Sequence, residues 1–233
     1  MGANYKNLIL SCLPRAEIAR LQPNLEPLIL PQNKDLSLPG EKARYGYFLE
    51  EGMASIVVTM RNGISVEVGI VGREGMVGLP ILFGTGHITT HTFIQIPGSG
   101  FRIKAQALKA EFDRPGTFRA LCGRYFQSHL VQVSNSAACN RIHNIENRLA
   151  RWLLLCQDRT DLSRLPLTHE FLSQMLGTGR ATVSLAAEIL QRSKLIVYSR
   201  GKVDILDRKG LEGVACECYQ SIRAEDDRLG SLS

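Results

Sequence analysis

The order of apolar and polar positions divides the chain into a short helical start, a run of strands and a largely helical remainder. Within residues 25–105, short stretches rich in β-branched and aromatic residues alternate with Gly and Pro turns, which predicts antiparallel strands. These stretches read LEPLILP, RYGYFLEE, ASIVVTM, ISVEVGIV and TFIQIPG. Asn62 and Gly63 predict a tight hairpin between two of them, because both residues tolerate positive φ angles. Strands at this spacing indicate a small barrel or roll.

Helical patterns lie on both sides of these strands. Residues 1–24 alternate apolar and polar positions, and Pro14 is well placed to begin a helix there. After Pro115, a long helix through residue 143 is predicted. Its narrow apolar stripe consists of Phe126, Leu130, Val133 and Ala137. Such a stripe is typical of a helix that pairs with its twin, but packing on the chain's own roll needs almost the same spacing, so both alternatives stay open.

The C-terminal part predicts three further helices. Asn144 is a favourable cap for a helix over residues 145–159. The buried face of that helix is predicted to contain Leu149, Trp152, Leu153 and Cys156. Thr168 then caps a short helix that Gly177 ends, and Thr178 is a candidate cap for the helix that follows.

The last of these helices has an apolar and a polar side. The apolar positions are Val183, Ala187 and Leu190, and the polar positions are Arg180, Ser184, Glu188 and Gln191. Two helices joined by a short glycine turn are typical of a helix-turn-helix. The segment YSRGKVDILD that follows predicts a two-stranded wing.

The net charge of +6 is unevenly placed along the chain. Residues 1–143 carry 15 Lys and Arg against 10 Asp and Glu, and residues 144–233 carry 13 against 12, so bulk charge does not single out the C-terminal part. Locally, residues 192–202 contain four basic side chains and no acidic one. This cluster next to a helix-turn-helix favours nucleic-acid binding. An ordinary solvated face is the alternative.

Six cysteines are spread over the chain, and none shows the C-x-x-C spacing of zinc or redox sites. We expect reduced, mostly structural thiols, no metal site and no resident cofactor. Cys216 and Cys218 form the only close pair, for which a redox switch is an alternative to simple packing. No apolar run approaches the length of a membrane span and no secretory cleavage site follows the N-terminal apolar run, so we expect a cytoplasmic protein without a membrane partner.

A roll, a long helix and a winged helix-turn-helix in this order resemble the Crp/Fnr family of bacterial transcription regulators. The resemblance is most specific in LTHEFLSQMLGTGRATVSLAAEIL with KLIVYSRGKVDILD, and NRIHNIENRLARWLLL and GEKA at Gly40 add to it. It implies an α+β fold, with an N-terminal antiparallel β-roll of the cyclic-nucleotide-binding-like jelly-roll type, a long dimerisation helix and a C-terminal winged helix-turn-helix. The implied domains are residues 1–113, 114–143 and 144–233.

The resemblance also implies a homodimer that binds a palindromic double-stranded DNA operator, with RNA polymerase and a small-molecule effector as further partners. Arg180 matches the family's base-reading arginine, and Ser184 and Leu185 are candidate contacts to a base edge and a thymine methyl. The predicted phosphate contacts are Thr168, Thr178, Thr182, Arg200 and Lys202. Ala181, Leu185 and Gly179 depart from well-known members, so the operator is expected to differ from theirs.

The segment that matches the family's cyclic-nucleotide cassette departs further. In residues 77–93, Gly78 is present but Leu79 replaces the glutamate that holds the ribose, and Thr89 and Thr90 lie where the Arg-Ser pair is expected. No Arg occurs between residues 74 and 101, so a bound cyclic phosphate would lack its cation and we expect no cyclic AMP binding. Two other family cofactors find little support. Cys12 is the only N-terminal cysteine for an iron-sulfur cluster, and His87 with His91, candidates for haem or a metal, lie in a loop-forming sequence.

Two other classes of function remain as alternatives. A ligand-binding or protein-interaction module whose helix-turn-helix has lost specific DNA binding is compatible with Ala181, Leu185 and Gly179. An enzyme is not expected, because no nucleophile or metal motif such as G-x-S-x-G or H-E-x-x-H occurs.

Overall fold

The computed structural model describes residues 5–230 and confirms the α+β fold. Residues 1–4 of the predicted N-terminal segment and residues 231–233 of the predicted C-terminal domain lie outside it. The chain forms two units. The first holds the chain up to Ile56, Ile70–Leu130 and the chain from Glu225 on, and the second holds Val57–Gly69 and Val131–Ala224. Within residues 5–230, no helix has both the length and the apolar character needed to cross a membrane.

An antiparallel sheet forms the basis of the first unit. The helices α1 (Leu8–Ser11) and α2 (Arg15–Leu21) come first, and Pro14 precedes α2 as predicted. The strands are β1 (Glu26–Leu30), β2 (Asp35–Ser37), β3 (Tyr45–Thr59), β4 (Ser65–Val71) and β5 (His91–Lys104). Their order across the sheet is β1-β5-β3-β4, and β2 also pairs with β5. The two stretches RYGYFLEE and ASIVVTM are one strand of 15 residues, so the predicted break between them is wrong: Gly52 takes a φ of 83° within β3 without ending it.

The turn between β3 and β4 is longer than predicted. Gly63 has a φ of 83°, whereas Asn62 is not among the residues with positive φ. The Met60 amide donates to the Ile64 carbonyl at 2.8 Å, and the Asn62 side chain accepts from the Ile64 amide at 3.1 Å. The side-chain oxygen of Asn62 therefore closes the turn, and a positive φ is needed at the glycine alone.

Helices and a continuous core complete the first unit. Its remaining helices are α3 (Leu79–Leu82), α4 (Ala105–Phe112), the first part of α5 (Thr117–Ile142) and the end of the last helix, residues 225–229. The core includes Phe48, Leu49, Ile94, Ile103, Leu108 and Phe118, all of which are fully buried. Burying one such side chain stabilises the fold by about 1.5–3 kcal/mol.

The long helix α5 has a buried and an exposed apolar side. Leu121, Cys122 and Tyr125 are buried in the first unit's core. The predicted stripe lies elsewhere, since Phe126 is 41% and Leu130 is 48% exposed. At about 100° per residue, the centre of the stripe lies roughly 100° around the helix from the centre of the buried side. Phe126 touches Phe83 of the same unit, with the ring centroids 5.0 Å apart, but about half of the Phe126 and Leu130 side chains stays uncovered.

The second unit is a helical domain with a small sheet. Its elements are α6 (Ile145–Thr160), β6 (Arg164–Leu165), α7 (His169–Met175), α8 (Arg180–Arg192), β7 (Ile196–Ser199), β8 (Lys202–Ile205), α9 (Arg208–Val214) and the start of α10 (Cys218–Leu229). The sheet order is β6-β8-β7, and both pairs are antiparallel. Asn144 caps α6 as predicted, with its side chain accepting from the Asn147 amide.

The prediction of a single buried face on α6 is too narrow. The predicted residues are buried, but so are Ala150, Leu154 and Leu155 and the side chains of Arg148, Arg151 and Arg159. The cause is visible at Trp152, whose indole N–H donates to the Glu67 carboxylate at 2.6 Å from the hairpin segment that belongs to this unit. Neighbours thus cover α6 on more than one side.

Candidate nucleic-acid interface

The start of α7 is held by its predicted cap. The Thr168 hydroxyl accepts a hydrogen bond from the Phe171 amide at 3.1 Å, which satisfies one of the free amides in the first turn. Glu170 lies in the same turn, near the positive end of the helix dipole. The prediction for this cap is confirmed.

The turn between α7 and α8 is closed by two backbone hydrogen bonds. Gly177 has a φ of 58°, its amide donates to the Gln174 carbonyl at 3.2 Å, and the Thr178 amide donates to the Ser173 carbonyl at 3.0 Å. This pair of bonds is a Schellman motif, and it confirms that Gly177 ends α7. Thr178 is not the cap of α8, because its amide still bonds the preceding helix; Gly179 takes the capping position one residue later, without a side-chain hydrogen bond.

Helix α8 separates a packed side from an outward side. Val183, Ala187 and Leu190 are buried as predicted, together with Ala186. The exposed residues are Arg180, Ala181, Thr182, Leu185, Glu188, Ile189, Gln191 and Arg192. Leu185 is 61% exposed, so the outward side combines a cation at its start with apolar side chains further along.

Ser184 faces the wing instead of lying freely on the polar side. Its hydroxyl donates to the Arg180 carbonyl and lies 3.0 Å from the Nδ1 atom of His169. The His169 ring stacks on Tyr198 of β7, with the ring centroids 4.0 Å apart. Burial and the charge of Arg180 lower the pKa of His169, which keeps the imidazole neutral at pH 7. Sequence reasoning missed this link between α7, α8 and the wing, because no local pattern joins residues 169 and 198.

The wing turn contains two residues with positive φ. Arg200 has a φ of 49° and Gly201 a φ of 74°, between the paired residues Ser199 and Lys202. This arrangement is typical of a type I′ hairpin. A Cβ atom built on Gly201 would lie 3.3 Å from the Thr168 methyl group, so the tip of the wing lies beside the start of α7. Three predicted phosphate contacts, Thr168, Arg200 and Lys202, are thereby brought to one region.

The basic side chains of this region form few and weak ion pairs with neighbouring acidic side chains. Arg180 lies 3.5 Å from the Glu170 carboxylate, and both side chains are largely exposed. Exposed pairs of this kind contribute roughly 0–1 kcal/mol and are easily exchanged. Arg200 and Lys202 are exposed and make no ion pair with any residue in the described part of the chain. These side chains can therefore turn to an anionic partner without losing a strong internal contact.

The segment predicted as a degenerate cassette is filled mainly by apolar groups. Gly78 precedes α3 with a φ of 111°, and Leu79 is half-buried against the first unit's core. Thr89 is exposed and Thr90 is half-buried. Four further residues of the segment, Val77, Ile81, Leu82 and Ile88, are buried.

The histidines of this segment do not share a helical face. His87 forms an isolated bridge with Lys42, and His91 begins β5, with its Nε2 atom 2.7 Å from the Asp35 carboxylate. The predicted loop and strand conformation is confirmed. The structure therefore does not bring these two side chains together as a metal site.

Comparison with known proteins agrees with this geometry. Residues 147–214 match the Crp-like helix-turn-helix domain. The global nitrogen regulator of Nostoc sp. is 22% identical over 188 residues, which is 75% of this chain and 82% of that protein.

Solved structures extend the similarity to the fold of the chain. A Crp/Fnr-family regulator from Eubacterium rectale has a TM-score of 0.67 at 18% identity, covering 87% of this chain and 94% of its own. A CRP-family regulator from Thermus thermophilus has a TM-score of 0.67 at 22% identity, covering 81% of this chain and 96% of its own. Residues 147–214 thus match a Crp-like helix-turn-helix domain, and the chain shares its fold with solved regulators of the Crp/Fnr family.

Proposed function

We propose that this protein is a sequence-specific DNA-binding regulator that acts in the cytoplasm as a homodimer on a palindromic operator. The observation that carries the proposal is the outward side of α8, where Arg180, Thr182 and Leu185 are exposed at the start of the helix. An α-helix fits the major groove, and an arginine near its start can contact a guanine edge through two hydrogen bonds.

Each predicted contact has a distinct task in this proposal. Arg180 and Leu185 read bases, and Ser184 joins them only by exchanging its bonds to Arg180 and His169 for one to a base edge. The backbone phosphates are contacted by Thr168, Thr178, Thr182, Arg200 and Lys202. Phosphate contacts set the register of the helix on the duplex but carry no sequence information.

Dimerisation is assigned to the stripe on α5. Phe126 and Leu130 leave close to half of their side-chain surface exposed, roughly 100° around the helix from the buried face. The stripe continues through Val133 to the exposed Ala137 along the 26-residue helix. An apolar seam of this width suits a parallel helix pair, which would place two copies of α8 on successive half-sites.

The sensor is proposed to bind no cyclic AMP. The buried apolar side chains of residues 77–88 occupy the segment, and no Arg lies between residues 74 and 101 to hold a cyclic phosphate. We propose a small-molecule effector of another class and RNA polymerase as the further partners of the DNA-bound dimer.

A second candidate is a protein-interaction module that no longer binds specific DNA. The observation that favours it is the apolar character of exposed Ala181, Leu185 and Ile189 on α8. Selection of binding sites from random double-stranded DNA separates the two functions. The regulator yields an enriched palindrome and an affinity that falls steeply with salt, whereas no enrichment at any salt concentration means that the DNA-binding proposal is wrong.

Gly179→Ser is expected to strengthen DNA binding without harming the fold. Gly179 has an ordinary extended conformation as the α8 cap, and an added Cβ would meet only the Thr182 hydroxyl at 3.8 Å. A serine there can bond the first turn, for a gain of a few tenths of a kcal/mol, and its hydroxyl can reach a phosphate. The measurement is the dissociation constant for the selected operator together with the melting temperature. Gly179→Ala is the control, and equal affinities of the Ser and Ala variants would contradict the phosphate contact.

Arg200→Asn is expected to raise stability and lower DNA affinity. Arg200 holds a φ of 49°, which is disfavoured by roughly 1 kcal/mol for most residues, whereas Asn accepts it readily. Loss of its charge removes one phosphate contact per protomer, which reduces the salt slope of binding by about 0.9 for each. Thermal unfolding and salt-dependent binding measure the two effects, with Lys104→Gln as a charge-matched control outside the helix-turn-helix. A more stable variant with unchanged salt slope would mark Arg200 as a solvated turn residue.

A further inference from the structure

Four side chains that commonly bind transition metals meet in the second unit, and none of them is a proposed DNA contact. They are Cys139 in α5, His143 between α5 and α6, Cys216 before α10 and Cys218 at its start. One ligand atom from each lies within 4.8 Å of the others. The three cysteines are buried and form a small cluster of their own.

The spacing of these atoms matches one tetrahedral metal ion. The Sγ atoms of Cys139 and Cys216 are 3.4 Å apart, and the Cys218 Sγ lies 3.8 Å from the His143 Nδ1 atom. A tetrahedral zinc site, with arms of about 2.3 Å to sulfur and about 2.1 Å to nitrogen, places its ligand atoms roughly 3.5–3.8 Å apart. These two spacings are close to that range, and ligand atoms that lie up to 4.8 Å apart would approach by about 1 Å to surround one ion.

The second nitrogen of His143 is already oriented for this role. Its Nε2 atom lies 3.1 Å from the Glu217 carboxylate, which favours a proton on Nε2 and leaves the Nδ1 lone pair directed toward the cysteines. A carboxylate behind a histidine is the usual outer partner of a zinc ligand. Glu217 stands between Cys216 and Cys218 in the chain, so the same short segment supplies two sulfurs and this partner.

The charge around the cluster also suits a thiolate-rich centre. Arg151 of α6 is buried and interacts electrostatically with all three cysteines. Three thiolates and one Zn²⁺ carry a net charge of about −1, which this guanidinium would balance. In contrast, a disulfide between Cys139 and Cys216 would not account for the presence of Cys218 and His143 in the same cluster.

We propose that Cys139, His143, Cys216 and Cys218 bind one Zn²⁺ ion, with Glu217 orienting the histidine. Binding releases the protons of the thiols to solvent and involves no redox step. The ion joins the end of α5 and the segment that follows it to the start of α10. Its loss is expected to loosen the junction between α5 and α6.

Metal content of the full chain is the first test. Protein stripped with a chelator under reducing conditions is loaded with Zn²⁺, freed of excess by gel filtration and analysed by mass spectrometry. About one Zn²⁺ per chain is expected, with loss of binding in Cys216→Ser and His143→Ala and retention in Cys12→Ser, whose sulfur lies outside the cluster. A chain that retains no zinc, or equal loss in Cys12→Ser, overturns the proposal.

Variants that fail to fold would also lose zinc, so Co²⁺ is titrated into the unaltered chain. A tetrahedral thiolate site gives intense d–d bands and sulfur-to-cobalt charge-transfer absorption. Only the weak spectrum of six-coordinate Co²⁺, or a Cys139–Cys216 disulfide in protein purified without oxygen, overturns the proposal.

Glu217→Gln tests the outer partner. The zinc dissociation constant is expected to rise about 10- to 100-fold, with about one ion still bound per chain at saturation. An unchanged constant overturns the assignment of Glu217. None of these measurements uses DNA, so their outcome is independent of the proposed regulatory function.

Discussion

Arg180→Ala is expected to lose base preference at one position in each half-site of the operator. Arg180 is the first residue of α8, its side chain is 68% exposed, and its ion pair with Glu170 is a loose contact at 3.5 Å. A bidentate arginine–guanine contact contributes about 1–3 kcal/mol of discrimination, or between about 5-fold and about 150-fold per half-site. Binding-site selection with the variant measures this directly, as the loss of one information-rich position in each half.

Two further variants separate base reading from charge. Arg180→Lys keeps the charge but loses the planar guanidinium, so it is expected to resemble Arg180→Ala in selectivity. Lys202→Ala removes an exposed wing cation and is expected to weaken binding to DNA of every sequence by a similar factor. Full rescue by lysine at position 180, or the same loss of selectivity in Lys202→Ala, would mean that Arg180 acts as a phosphate contact.

Leu130→Arg is expected to convert the protein from dimer to monomer. Leu130 is 48% exposed on the side of α5 that faces away from the first unit's core, so the substitution leaves the core intact. In a dimer the same position would bury two like charges in an apolar seam. A monomer contacts only one half-site, so it loses the gain in affinity that comes from two linked DNA-binding domains. Its affinity for the operator is expected to fall by about 100-fold or more.

Light scattering and operator binding measure these two effects of Leu130→Arg. Ala138→Arg is the matched control, because residue 138 is exposed but lies about 80° around the helix from Leu130, about 120° from Phe126 and about 140° from Val133. A Leu130→Arg variant that remains dimeric would contradict the assignment of the stripe. A monomer that binds the full operator as well as the native protein would contradict the two-site mode of binding.

Local signals make the helix-turn-helix readable from the sequence. Thr168 caps α7, and Gly177 ends it with a φ of 58°. Both effects depend on hydrogen bonds within a few residues, so the sequence alone carries them. The predicted Thr178 cap is wrong by one residue, because the closing bond from Thr178 to Ser173 delays the start of α8.

The environment of a residue is harder to predict from the sequence when it depends on residues far away in the chain. The spacing of the α5 stripe leaves two alternatives open, and the exposure of about half of Phe126 and Leu130 favours pairing with a second helix. Ser184 is expected on the polar side of α8, but its hydroxyl lies within hydrogen-bond distance of His169, whose ring stacks on Tyr198 of the wing. Periodicity reveals that a face exists and does not reveal what covers it.

The cysteine and histidine cluster is the clearest example of this limit. Cys139 and His143 are four residues apart, and this spacing places two metal ligands on one helical face. Their partner Cys216 is 77 residues from Cys139, and C-x-C alone is a weak metal signal. No local pattern joins the two pairs.

The sequence by itself determined the α7 cap, the glycine turn, the packed side of α8 and the two-stranded wing, because backbone preference and helical periodicity act over short distances. It also carried the resemblance of these elements to those of Crp/Fnr regulators. Only the tertiary structure decided which side of α5 is left uncovered, how Ser184 is held, and that four metal ligands meet. These features depend on contacts between residues far apart in the chain, and such contacts form only when the whole domain packs.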